Sequence, residues 1–231
     1  MTASLNFQLT GQRALVTAGA QGIGLAITEA LLQQGAEVHI CDVDRAALDK
    51  TKAQYPQVHI SHTDVGNEAQ VLSMFAEIQK RWGQLDILVN NAGIAGPTAA
   101  IEDTSLHEWQ QTLDVNLTGA FLCTRSAVPL IKKAKGGSII NISSAAGRHG
   151  FPLRSPYSAT KFGVIGLTQT WAMELGPSGI RVNAILPGIV EGARQDRVLG
   201  AKAETFGISL EAMRTRALER VSLRRMVSAQ D

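Results

Sequence analysis

The chain has few of the features that mark secretion, membranes or metal sites. Only two cysteines, Cys41 and Cys123, occur in 231 residues, each within an apolar segment. Such thiols read as free and buried, which suits a reducing cytoplasm and not a disulfide scaffold. No His/Cys/Asp spacing suggests a structural or catalytic metal, and His59 and His62 read as strand-edge residues. No apolar run near the start reads as a signal peptide, and no stretch of about 18 apolar residues reads as a membrane span. Neither sign of charge dominates, with 22 basic residues against 20 acidic ones. The densest basic stretch, Arg214 to Arg225, is broken by Glu219 and apolar residues, so no nucleic-acid surface is expected. Repeats, low-complexity segments and interdomain linkers are also missing, and the length suits a single domain.

What is present is alternation. Arg13–Thr17, Glu37–Cys41, Val58–Ser61, Leu85–Val89, Ser138–Ile142 and Arg181–Ile185 read as short apolar strands. Helical spacing follows each of the first five: at Leu25–Leu32, from Asp44–Arg45, over Glu68–Trp82, over Leu106–Ile131 with a bend near Pro129, and from Pro156 to about Leu175. Continuous apolar strands between amphipathic helices predict an α/β fold, a parallel sheet covered on both faces. Ligands of such sheets bind beyond the carboxyl ends of the strands. Asp42, Asp64, Asn91, Ser144 and Pro187-Gly188 all fall at those ends, as does the glycine-rich turn Ala18-Gly19-Ala20-Gln21-Gly22-Ile23-Gly24.

That turn joins a strand ending at Thr17 to a helix, the setting in which glycines let a backbone approach a pyrophosphate. An ordinary strand-to-helix turn would look similar. Asp42 lies eighteen residues past Gly24, close to the roughly 20 expected of a carboxylate that accepts from ribose hydroxyls. It would repel a 2′-phosphate and favour NAD(H). Its alternative role is a helix cap, since Asp44 and Arg45 begin a helical run.

Tyr157-Ser158-Ala159-Thr160-Lys161 carries the chemistry, with Ser144 thirteen residues before the tyrosine. Residues four apart share a helix face, and an ammonium near a phenol favours the phenolate. The pair is then a proton donor and acceptor usable near neutral pH.

Together these motifs resemble the short-chain dehydrogenase/reductase family, over Leu9 to Asp231. The resemblance implies a single-domain, Rossmann-like, doubly wound parallel sheet. It implies Tyr157 as general acid/base, with Lys161 lowering its pKa and holding the nicotinamide ribose, and Ser144 positioning the substrate oxygen. Asn116 matches the fourth catalytic position, where it bends a helix and holds a water in a proton relay. Thr17, Gly19, Gln21, Gly22, Ile23 and Gly24 would form the phosphate turn. Asp64 and Val65 would contact the adenine, and Asn91, Ala92 and Gly93 the adenosine ribose side. Pro187, Gly188 and Val190 would meet the nicotinamide carboxamide. The expected activity is hydride transfer between NAD(H) and a secondary alcohol or ketone, such as a small alcohol, sugar or hydroxy acid. A 3-oxoacyl thioester reductase and a catalytically idle NAD(H)-binding scaffold are the alternatives. A homotetramer or homodimer, paired through the helices about Leu106–Ile131 and Pro156–Leu175, is implied too.

Three departures stand out. Ala18 occupies a position where the family usually has glycine. Gly192 stands where a threonine often follows Pro-Gly. The family's last helix and strand have no counterpart before Asp231, which leaves an exposed apolar sheet edge as the expectation if the chain ends there. Residues 191–220 match the variable substrate segment, with Ala201–Phe206 and Leu210–Leu218 helical, and read as a lid. Arg148, His149, Arg154, Arg194 and Arg197 raise the option of an anionic or sugar-like substrate, but surface charge or intersubunit pairing is the preferred reading.

Overall fold

Ala14 and Val16 pack on one face of the sheet and Leu15 on the other, all fully buried. A strand buried on both faces needs helices on both. The computed structural model describes residues 8–231. Among them, β1 (Arg13–Thr17), β2 (Glu37–Asp42), β3 (His59–His62), β4 (Ile87–Asn90), β5 (Gly137–Ile142) and β6 (Ile180–Ile185) form one parallel sheet. The order is β3-β2-β1-β4-β5-β6, the doubly wound Rossmann-like arrangement.

Helices α1 (Gly22–Gln33) and α2 (Arg45–Gln54) cover one face through Ile27, Leu31 and Leu48. The other face lies under α3 (Glu68–Trp82), α5 (Gly119–Lys133) and α6 (Ser155–Leu175), through Met74, Ile78, Leu122, Ile131 and Leu175. The sequence sets these helices locally. Asp44 caps α2 by accepting from Ala47 N at 3.0 Å, and Asn67 caps α3 by accepting from Gln70 N at 3.2 Å. Ser105 and Glu108 form a reciprocal capping box on α4 (Leu106–Leu113).

The helix expected over Leu106–Ile131 runs through a π-helical distortion at Asn116, the residue that the resemblance expects to bend it. Residues Asp114–Thr118 form a π-helical turn between α4 and α5. Pro129 sits inside α5 and does not mark the bend. Residues 191–220 also differ from expectation. Its first helix, α7 (Ala193–Phe206), starts eight residues before Ala201, so Arg194 and Arg197 are helical. With α8 (Leu210–Leu218) it closes a small core of Leu199, Ala203 and Met213. The chain then returns, and Val227 pairs in parallel with Val190. At the sheet edge formed by β6, Ile185 is half exposed. No helix among the described residues is long and apolar enough to cross a membrane.

Candidate active site

The reversal of strand order falls between β1 and β4, and two groups of residues meet there. Thr17 Oγ1 accepts from the backbone N–H groups of Asn91 and Ala92, each at 2.9 Å. Asn91 Nδ2 donates to the carbonyls of Thr17 and Ala18 at 2.9 and 3.0 Å. Asn91 therefore shapes the glycine turn itself. Two glycines are required by contact. A Cβ on Gly24 would lie 2.0 Å from Ala18 O, and one on Gly19 would lie 2.7 Å from Ile40 Cγ2. Gly22 is left-handed at φ +53° and faces open space. Ala18 itself is left-handed at φ +49°, so the family's usual glycine is replaced here at a strained position.

Helix α1 starts at Gly22 with no side-chain cap, which leaves its first N–H groups open, Ile23 and Gly24 among them. Asp42 is buried at the end of β2, accepting from Ala20 N at 3.4 Å and Asp44 N at 3.1 Å. Its carboxylate faces the turn, and the cap of α2 is Asp44. Gln21 Nε2 donates to that cap at 2.8 Å, tying the turn to α2. An open left-handed glycine, an uncapped helix start and a facing carboxylate fit a dinucleotide. Asp64, after β3, accepts from Gly66 N at 2.9 Å. Val65 is buried, and a Cβ on Gly119 would lie 2.7 Å from it.

The second group gathers around α6. Asn116, in the π turn, is buried and binds both backbone groups of Ile94, accepting from N at 2.7 Å and donating to O at 3.0 Å. Asn116 Nδ2 also reaches Thr160 Oγ1 at 3.2 Å. It thereby clamps the loop after β4 to α6. Lys161, 4% exposed, donates to Ile142 O at 2.8 Å. A Cβ on Gly93 would lie 3.1 Å from Asn116 Oδ1 and 3.5 Å from Lys161 Nζ, so the three adjoin. Lys161 Nζ lies 5.7 Å from the Tyr157 ring centroid, confirming their common face. Burial pushes the Lys161 ammonium down to about 7, and Arg194 adds to the effect.

Ser144 ends the β5 strand-and-turn segment and accepts from Ala146 N at 3.1 Å. Ser143 Oγ donates to Lys161 O at 2.8 Å, holding that turn against α6. Ala145 N donates to Pro187 O at 3.0 Å, which places the Pro187-Gly188 corner beside the serine. Helix α7 reaches in as well: Arg194 donates to Gly93 O at 3.0 Å and its guanidinium carbon lies 5.9 Å from the Tyr157 ring centroid.

The family model described as short chain dehydrogenase matches residues 12–202. The chain belongs to the short-chain dehydrogenase/reductase family. As a member it is an oxidoreductase that acts on CH–OH groups and binds a nicotinamide cofactor. It is 43% identical to a 3-alpha-(or 20-beta)-hydroxysteroid dehydrogenase of Mycobacterium bovis over 211 residues, 87% of this chain and 81% of that one. It is 43% identical to a trans-4-hydroxycyclohexanecarboxylate dehydrogenase of Sinomonas cyclohexanicum, covering 77% of this chain and 72% of that one. A crystal structure of NAD+-bound xylitol dehydrogenase superposes with a TM-score of 0.92 at 29% identity, covering 96% of this chain and 89% of that one.

Two cations near Tyr157 stand apart from the sequence reading: Arg154, which it raises as a candidate anion ligand but prefers as surface charge, and Lys202, which it does not raise. Arg154 is buried, not a surface charge, and donates to Ala95 O at 2.7 Å. It sits at the N-cap of α6, just outside the helix that carries Tyr157. Lys202, on α7, stands 4.4 Å over the Phe151 ring; nothing in the local sequence points to it.

Proposed function

We propose that the chain is an NAD(H)-dependent dehydrogenase of a secondary alcohol, with Tyr157 as general acid/base. The observation that carries the cofactor choice is the buried Asp42 carboxylate facing the glycine turn. A 2′-phosphate would meet that charge in a poorly solvated corner. Arg45 offers it no relief, because Arg45 Nε is paired with Asp49 at 3.2 Å. The expected result is a preference for NAD+ over NADP+ of about 100-fold in kcat/KM. Asp42→Ala is expected to shrink it to below about tenfold. Turnover with NADP+ alone would overturn the assignment of Asp42.

A nicotinamide bound along this crevice would accept or supply the hydride. The remaining steps belong to the chain. Thr17, Gly19, Gln21, Gly22, Ile23 and Gly24 frame the phosphates, and Asp42 accepts from the adenosine ribose. Asp64 and Val65 flank the adenine, and Asn91, Ala92 and Gly93 line the same side. Pro187, Gly188 and Val190 back the carboxamide. In oxidation the Tyr157 oxygen takes the substrate hydroxyl proton while Ser144 Oγ holds the same oxygen. In reduction Tyr157 returns the proton. Lys161 spends one N–H on Ile142 O and keeps two for ribose hydroxyls. Asn116 holds the Ile94 loop beside Lys161. Residues 191–220 close over the site as a lid, a reading supported by the Arg194–Gly93 bond.

The same reading includes a two-fold dimer through α5 and α6, which can double to a tetramer. Phe121 and Phe162 are 41% and 49% exposed there. Beside them lies an apolar hollow of about 350 Å³ lined by Leu117, Thr118, Phe121, Gly163 and Leu167. Exposed aromatics around such a hollow favour association. Phe121→Glu with Phe162→Glu is expected to reduce the light-scattering mass to one chain; a monomeric parent protein would sink the idea. A cytoplasmic location is part of this reading, supported by the two buried free thiols and checked by cell fractionation.

A further inference from the structure

The catalytic tyrosine stands among cations that, within the described residues, form no ion pair with a carboxylate. The guanidinium carbons of Arg154 and Arg194 lie 4.8 and 5.9 Å from the Tyr157 ring centroid, with Lys161 Nζ at 5.7 Å. Lys202 joins them from the lid, over Phe151. The ion pairs among the described residues are Arg45–Asp49, Arg125–Glu68 and Arg214–Asp196, and none includes these four.

Arg154 is the key member. It is 3% exposed, one terminal nitrogen donates to Ala95 O, and its buried Nε has no partner. Buried charges are normally paired, because a desolvated cation without a counter-ion is unfavourable. Here the neighbouring cations make matters worse. Arg154 is pushed below the usual guanidinium range by burial first; Tyr157 offsets part of this and Arg194 adds repulsion. Lys202 is pushed down to about 8 by burial and then by Arg154. The chain thus holds several like charges close together and leaves their counter-charge to come from outside.

We propose that Arg154, together with Arg194 and Lys202 of the lid, binds a carboxylate borne by the alcohol or ketone substrate. This rests on the dehydrogenase reading. A guanidinium fork matches the planar, two-oxygen shape of a carboxylate. Because Arg154 stacks on the ring whose hydroxyl moves the proton, the acid group lies only a few carbons from the reacting carbon. The substrate class is a small hydroxy acid or its oxo counterpart. Two of the three cations come from α7, so substrate charge also draws the lid down over the site and excludes water.

The test compares matched pairs with the full chain and NAD+ or NADP+: trans-4-hydroxycyclohexanecarboxylate and short hydroxy acids, each against its carboxamide. The acids are expected to lead in kcat/KM by about 10- to 100-fold. That lead is expected to fall at least tenfold in Arg154→Met. Arg154 is buried and its variant can misfold, so Arg194→Met with Lys202→Met on the exposed lid gives a second measure, with the same expected fall. Equal or faster turnover of the amides overturns the proposal and leaves the dehydrogenase reading standing. An acid preference that survives both variants overturns the assignment of these residues. No turnover of acid or amide with either cofactor overturns the dehydrogenase reading, and the proposal with it.

Discussion

Tyr157→Phe is expected to lower kcat by about three to four orders of magnitude while NADH affinity changes less than about twofold. The substitution removes one oxygen and keeps the ring, with its contacts to Arg154, Arg194 and Lys161. General acid–base catalysis by a positioned side chain contributes about 10²- to 10⁴-fold. A donor aimed at developing charge on the substrate oxygen contributes about 10²- to 10³-fold more, and the two overlap in one hydroxyl. Cofactor affinity is set elsewhere, by the glycine turn, Asp42 and Lys161. The expected signature is therefore a collapse of kcat with little change in NADH fluorescence titration. A variant that turns over within tenfold of the parent would remove Tyr157 from its role.

The placement of the glycine turn and of Asp42 was legible because it is local. A strand, a turn and a helix follow one another, and the carboxylate comes at a fixed interval. The same holds for Tyr157 and Lys161, whose shared face depends only on helical period. The π turn at Asp114–Thr118 was expected only through the resemblance, which has Asn116 bend a helix, because its physical cause depends on distance. Asn116 reaches Ile94 and Thr160, partners 22 and 44 residues away, and no window around Leu106–Ile131 contains them. Pro129 was the visible local signal, yet its missing N–H frees only the carbonyl of Arg125, an exposed residue where water is available.

The early start of α7 has a similar cause. Gly200 costs a helix interior about 1 kcal/mol relative to alanine, which argues locally against a helix there. Burial of Leu199 and Ala203 against Met213 outweighs it. Arg154 shows the opposite limit. Its type says surface, and only the packing of Tyr157, Ala95 and the lid makes it buried. A charge at a functional site breaks the ordinary pattern of burial, so sequence pattern alone misreads it.

Lys161→Met is expected to abolish most activity and yet to stabilise the cofactor-free protein. Lys161 is 4% exposed and its ammonium is pushed from an ordinary 10.5 down to about 7, by burial first and Arg194 second. Between those values the folded chain binds fewer protons than the unfolded one. Stability contributed through this group therefore rises with pH from about 7 to about 10, and the full penalty is present below about 7. The gap corresponds to about 4 kcal/mol at neutral pH. Losing the bond to Ile142 O returns about 1–3 kcal/mol of that, so the net gain is about 2 kcal/mol at pH 7. Urea unfolding between pH 6.5 and 9.5 reads the effect: the parent midpoint climbs relative to the variant, and the two converge at the alkaline end. Parallel profiles would show that Lys161 is not held in this way. The kinetic half separates Lys161 from Tyr157. The methionine variant is expected to lose about 10²- to 10⁴-fold in kcat and also to bind NADH more weakly, because ribose hydroxyls lose their donors. On the proposed mechanism a lysine kept at such cost to the fold serves the cofactor and the proton, the compromise expected where activity and stability compete for one residue.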